Sequence, residues 1–208
     1  MPFHRIADKL KEHYGIEVPP STAQGIVEEH ARRIYHQQSV THDIPESKGK
    51  AVLIAEMDGS MLPVVETSEA EDRRKTRAVR WQEARLCVVR EPGVVTGRFE
   101  ATMGSPDEAG LCLLTAAVRE GMGSATRMHC VGDGAPWIAE QVEAVFGAQG
   151  SYLIDFYHLC EYVQAAAEEI HSTDTKAWTD QQKQRLKEGL LDEVMQELRE
   201  HGPVKYFV

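Results

Sequence analysis

No two cysteines of this chain are spaced to bind metal together. Cys87, Cys112, Cys130 and Cys160 are scattered through 208 residues without a CxxC pair. That argues against a zinc module and a disulfide framework, and predicts a reduced, cytoplasmic protein. A membrane-length apolar run is also lacking, and the N-terminus carries charges and His4 where a signal peptide would have its apolar core. Positive charge is scarce: 23 Lys and Arg stand against 33 Asp and Glu, a net charge of −10. A deficit of that size predicts weak DNA affinity for the chain as a whole, because phosphate contacts need Lys and Arg. Length and apolar content are ordinary, and suffice for one core domain and a small satellite.

Against that background two short strings stand out, AEMDGS around Asp58 and CVGDGAPWI around Asp133. Each is an apolar run, then one aspartate, then glycine and a small residue. The runs Ala51 to Met57 and Met128 to Val131 read as buried strands that end at the glycine. A carboxylate at the end of a core strand is costly to bury unpaired, so it needs a cation or a hydrogen-bonding cradle. Two such aspartates on neighbouring strands would converge on a Mg²⁺ site. Singly, each has a plainer explanation: Asp58 as a turn aspartate, Asp133 as the N-cap of the helix that contains Trp137.

Around these strings the periodicity predicts a mixed α/β chain. Phe3, Ile6 and Leu10 recur at helical spacing, and Gly15 stops that helix. Ser21 is placed to cap a second helix, with Gln24 in the capping-box position and Ile26, Val27 and Ile34 on its buried side. Two helices joined by a short Gly-containing turn form either a helix-turn-helix or a plain helical hairpin. Thr41 to Lys50 reads as a linker. A strand to Met57, a return strand from Leu62 to Val65, a charged loop from Glu66 to Arg77, and strands at Arg85–Val89 and Val94–Thr102 follow. Ser105, Pro106 and the acids after them open a helix. The strand to Val131, a helix from Pro136 to Phe146, the strand Tyr152–Ile154 and a helix from Tyr157 complete the alternation. From Lys176 to Glu200, Leu186, Leu190, Val194 and Leu198 keep a four-residue spacing, so this stretch is helical.

The positive charge is clustered: Arg73, Arg74, Lys75, Arg77 and Arg80 form one run and Arg32 with Arg33 another. By composition alone such runs are solvated faces. Trp137 is expected to pack its helix on the sheet. Trp178 is expected in the core as well, with base stacking as the other option.

The strings MDGSMLPV, GDGAPWI and IDFYHLCEYV, in this order and spacing, resemble bacterial insertion-sequence DDE transposases of the Kra type, within the Mutator-like superfamily. The similarity runs from about His4 to the C-terminus. It implies a ribonuclease-H-like mixed sheet flanked by helices over residues 46–170. A helix-turn-helix DNA-binding segment would precede it in 1–45, and a helical insertion would begin in 171–208. It implies metal-dependent DNA strand cleavage and transfer, with Asp58 and Asp133 as catalytic carboxylates holding Mg²⁺ or Mn²⁺, two ions in a complete enzyme. Asp155 and His158 match a motif whose members act through the ligands rather than as ligands; a carboxylate beside an imidazole orients the ring and raises its basicity. Ser21, Thr22, Gln24, Arg32, Arg33, Arg73, Arg74, Lys75 and Arg77 become candidate DNA contacts. DNA ends, target DNA and further copies of the full-length chain are the implied partners.

The pattern departs from the family in one respect. The third carboxylate, a glutamate, is expected beyond the helical insertion, and Glu161, Glu168 and Glu169 precede it. The chain therefore reads as a truncated transposase, with two alternatives: an inert DNA-binding remnant or regulator, and a metal-dependent nuclease of the same fold.

Overall fold

A computed structural model describes residues 3–37, 39–67, 76–170 and 175–201. The chain divides after Val40 into two compact units.

The first unit holds α1 (Phe3–Tyr14) and α2 (Pro20–Gln37), which pack on each other. α1 ends at Gly15, whose N–H donates to the Lys11 carbonyl. α2 starts one residue earlier than Ser21, at Pro20, where the fixed proline φ suits the first helical position. Ser21 is therefore inside the helix and not its cap, and Gln24 bonds forward to Glu28 at 2.6 Å. The expected buried face of α2 is not buried. Ile26, Val27 and Ile34 are exposed, and Ala23 is the one buried residue of the helix. Two helices alone cannot enclose an apolar stripe.

The second unit is built on a five-stranded mixed sheet in the order β3-β2-β1-β4-β5. Its strands are β1 (Val52–Thr67), β2 (Arg77–Arg90), β3 (Arg98–Thr102), β4 (Arg127–Gly132) and β5 (Gly150–Ile154). β1, β4 and β5 are parallel; β2 runs antiparallel to both β1 and β3. Between them come α3 (Pro106–Glu120) and α4 (Pro136–Phe146). The Ser105 signal is realised in full: its hydroxyl accepts from the Glu108 N–H while the Glu108 carboxylate accepts from the Ser105 N–H at 2.8 Å. Residues 41–50, polar enough to read as a linker, are fastened to this unit. Thr41 N–H donates to Thr115 Oγ1 at 3.0 Å, Ser124 N–H to the Ser47 carbonyl at 2.8 Å, and Ile44 packs on the core.

One sheet face is closed by α3 and α4. Leu53, Ala55 and Met57 of β1, Cys87 and Val89 of β2, and Met128 and Cys130 of β4 point into this core with Leu113, Ile138 and Val142. Burial pushes the Cys87 and Cys130 thiols up to about 12, so both are small hydrophobes and not nucleophiles. Glu100 on β3, also buried, is paired with Arg119 of α3.

β1 is longer than its sequence pattern suggests. Asp58–Gly59 does not end it: Asp58 pairs with Leu86 and Gly59 with Arg85, and the ladder continues to Thr67 opposite Arg77. Pairing with β2 supplies hydrogen bonds where β4 no longer reaches, so the expected strand end and return strand are one strand. Beyond β4's reach the hairpin carries Met61, Val65, Val79 and Trp81 as exposed side chains.

After β5, α5 (Phe156–Ile170), α6 (Thr175–Lys187) and α7 (Leu191–Glu200) form a second small core from Val163, Ala166, Ala167, Trp178, Val194 and Leu198. The expected single helix over 176–200 is broken at Gly189, whose φ of 78° is a left-handed conformation that glycine adopts without a Cβ clash. Trp178 is buried, and its indole N–H donates to Glu197 Oε1 at 2.6 Å. That leaves no face for a base to stack on. Burial pushes the Glu197 carboxyl up, but the Trp178 and Arg185 hydrogen bonds outweigh it and hold the group below the usual range. No helix among the described residues is long and apolar enough to cross a membrane.

Candidate functional site

The registers of the three parallel strands set up the site. In the β1–β4 ladder Glu56 faces Val131, so two residues further on Asp58 and Asp133 come level. In the β4–β5 ladder Gly132 faces Ile154, so one residue on brings Asp155 into the same row. The Asp155 N–H continues that ladder, donating to the Gly132 carbonyl at 2.7 Å. Side chains alternate across a strand, so Ile54, Glu56 and Asp58 all lie on the face opposite Leu53, Ala55 and Met57. Asp58, Asp133, Asp155 and His158 line one open cleft of about 590 Å³ on that face. Ile54, Glu56, Met57, Leu86, Val88, Arg90, Val131 and Gly132 form the rest of its lining.

Each aspartate has one oxygen bound to a backbone N–H that follows it in the chain; Asp58 does so within β1, so it is not the turn aspartate its Gly neighbour suggested. Asp58 Oδ1 accepts from the Gly59 N–H at 2.7 Å and Asp133 Oδ1 from the Ala135 N–H at 2.8 Å. Asp133 thus stabilises the turn before α4, whose N-cap is Ala135, and is not itself the cap. The Asp133 turn is braced by two phenols. Tyr162 donates to the Asp133 carbonyl at 3.2 Å, and Tyr152 Oη accepts from the Gly134 N–H at 3.0 Å. Burial pushes the Tyr152 phenol above its usual range. Gly134 has a φ of 98°, and a Cβ there would meet the Tyr162 ring at 3.3 Å, so the second glycine of GDG is required by the turn itself.

Asp155 caps α5: its Oδ1 accepts from the N–H groups of Tyr157 at 2.8 Å and His158 at 3.3 Å. The same oxygen lies 3.5 Å from His158 Nδ1, so the two side chains meet as their three-residue spacing predicts. His158 is 47% exposed and opens on the cleft, which rules out a core histidine.

Of the remaining sequence candidates in the second unit, Arg77 is the one described, and it does not join this cluster. Ser21, Thr22 and Gln24 are exposed on α2, in the other unit. Arg32 and Arg33 both pair with Glu29 of their own helix. Arg77 is exposed at the far end of the β1–β2 hairpin, opposite Thr67. Nine residues of strand (58 to 67) separate it from Asp58, roughly 30 Å at 3.3 Å per residue. Arg73, Arg74 and Lys75 lie outside the described residues. Glu161 is an exposed residue of α5.

Two contributors went unread in the sequence. Glu56 shares the face of Asp58 two residues away, and Arg90 reaches from β2 to β1 to pair with Glu56 at 2.7 Å. Period-two alternation from Asp58 would have found Glu56; Arg90 depends on a register that only the folded hairpin fixes. Among the described residues no group of three or more His, Cys, Asp or Glu side chains is arranged to hold a metal ion. The donor set in hand is the Asp58–Asp133 pair, two hard carboxylates of the kind Mg²⁺ takes. No protein-family model and no curated protein matches the chain.

Proposed function

We propose that this chain carries the catalytic core of a DDE transposase, with a ribonuclease-H-like sheet and an N-terminal helix-turn-helix. The observation that carries the reading is the level placement of Asp58 and Asp133 in one open cleft on adjacent parallel strands. The strand order β3-β2-β1-β4-β5, with β2 antiparallel to both of its neighbours, supports the same reading. Asp58 and Asp133 would hold the divalent ions, Mg²⁺ or Mn²⁺, through the oxygens not bonded to the following backbone N–H groups. When bound, such ions lower the pKa of an attacking water or 3′-hydroxyl and offset charge on the leaving oxygen. Asp155 orients His158, whose exposed imidazole is placed to meet a flanking phosphate in the cleft. Ser21, Thr22 and Gln24, exposed near the start of α2, are the proposed DNA contacts of that helix. Arg32 and Arg33, engaged with Glu29, are weaker candidates for phosphate contact.

A second reading, DNA binding without cleavage, is favoured by the count of ligands: two carboxylates are too few to fix two ions. Cleavage assays with element-end duplex and Mg²⁺ or Mn²⁺ separate the readings. Specific nicking that is lost with Asp58→Asn supports the transposase reading, and binding without nicking leaves the DNA-binding reading. Specific nicking by the 208-residue chain itself would mean that a glutamate already present, such as Glu161, completes the site.

A further inference from the structure

α2 carries a charge and hydropathy pattern that reads the same when the helix is turned end for end and the charge signs are exchanged. From Ile26 the order is two apolar residues, two acids, His30 and Ala31, two bases, then two apolar residues ending at Tyr35. The four apolar members are all open to solvent: Ile26 is 53%, Val27 44%, Ile34 61% and Tyr35 72% exposed. Val27, Ala31 and Ile34, at four- and three-residue spacing, fall on one face of the helix, with Ile26 and Tyr35 flanking it on either side. Packing of α1 on α2 buries Ala23, one turn before Val27, so the face is occupied only at its N-terminal end and is open from Val27 onward within its own unit.

We infer that α2 is a homodimerisation helix that pairs antiparallel with α2 of a second copy of this chain, about a two-fold axis between His30 and Ala31. A two-fold contact is self-complementary, so each surface must match its own reversed copy. In this arrangement the level of Ile26 and Val27 on one helix meets that of Tyr35 and Ile34 on the other. Glu28, on the flank of that face, comes level with Arg32 of the second copy, and the same pair repeats on the other side of the axis; Glu29 and Arg33, on the far side of the helix, add only to the local field. Ala31 beside the axis lets the backbones approach. A parallel pair would set acids against acids and bases against bases, which electrostatic complementarity opposes. Within one helix Arg32 and Arg33 share Glu29, while Glu28 has only Gln24 as its partner among the described contacts, so the arrangement adds ion pairs for Glu28. One helix pair is a small interface, so the dimer is expected to be weak and dependent on concentration. It does not depend on the chemistry proposed for the cleft.

Sedimentation equilibrium of the full 208-residue chain over a wide concentration range tests this. The unaltered chain is expected to pass from monomer to dimer mass as concentration rises. Glu28→Arg with Glu29→Arg makes all four charges basic, and Arg32→Glu with Arg33→Glu makes all four acidic; each variant alone is expected to stay monomeric. An equimolar mixture of the two should regain dimer mass, and so should a single chain carrying all four exchanges. Recovery on mixing also shows that neither variant has simply failed to fold. An unaltered chain that stays monomeric, variants that each dimerise as before, or a mixture that stays monomeric would each overturn the inference; the second would place self-association on another surface, such as the open sheet face.

Discussion

On β1, Leu53, Ala55 and Met57 are closed beneath α3 and α4, while Ile54, Glu56 and Asp58 point to the opposite side of the same sheet. The closed side has a continuous apolar core with several side chains at 0% exposure. The other side leaves Leu86, Phe99 and Leu153 at 49%, 62% and 63%, though all three are apolar. Both faces are thus apolar in composition, but one is sealed and the other borders a row of carboxylates. The lesson is that alternation along a strand gives the side a residue takes, and not whether that side is covered. Covering depends on which helices return over the sheet.

The sharpest way to break this contrast is to truncate one residue from each side. Leu113→Ala on the sealed side should cost about 2–5 kcal/mol, the range for an emptied core site. Leu86→Ala on the open side should change stability by no more than about 0.5 kcal/mol. Urea denaturation of both variants measures the difference; equal losses would mean that the open face is in fact packed.

A smaller effect is expected at the seam between the faces. Gly134→Ala forces a Cβ into a left-handed conformation, which costs about 1–2 kcal/mol. The same Cβ presses on Tyr162, so the Asp133 turn should be disturbed as well. Thermal melts give the first quantity. The second is read from Tyr162 fluorescence or the NMR shifts of residues 133–135, which would be unchanged if the turn were held by other contacts.

The least effect is expected in the satellite core of α5 to α7, which is held partly by the polar contacts of Glu197 with Trp178 and Arg185. The Glu197 carboxyl sits below its usual range in the folded chain, so the folded state favours its ionised form. Its contribution is therefore fully present above the unfolded value, about 4.3 for glutamate, and is lost as pH falls through the lower folded value. Stability measured from pH 6 downward should decline in the unaltered chain more than in Glu197→Gln. Parallel curves would remove this carboxylate from the account.

How far the sequence foretold these features depends on whether the cause was local. Ser105 and Glu108 announced α3 because a capping box is complete within four residues. Asp155 and His158 met as expected, since one helical turn fixes their approach. The row of Asp58 and Asp133 was half legible: the strand-Asp-Gly pattern marked both residues, but their level placement is set by the β1–β4 register. The continuation of β1 past Gly59 was hidden because β2, a separate segment paired at Gly59 with Arg85 and at Thr67 with Arg77, supplies the pairing. The exposure of α2 was hidden for the same reason. A helical apolar stripe predicts that something will cover it, and its own unit offers only α1.

The central claim is that Asp58 and Asp133 act together on one divalent site, and Mn²⁺ titration followed by electron paramagnetic resonance tests it most directly. The unaltered chain is expected to bind Mn²⁺ weakly and saturably, with Mg²⁺ competing. Asp58→Asn and Asp133→Asn should each abolish that binding, while Asp155→Asn, at the residue that caps α5, should leave it in place. Binding that survives both Asp58→Asn and Asp133→Asn, or that is lost only with Asp155→Asn, would contradict the account.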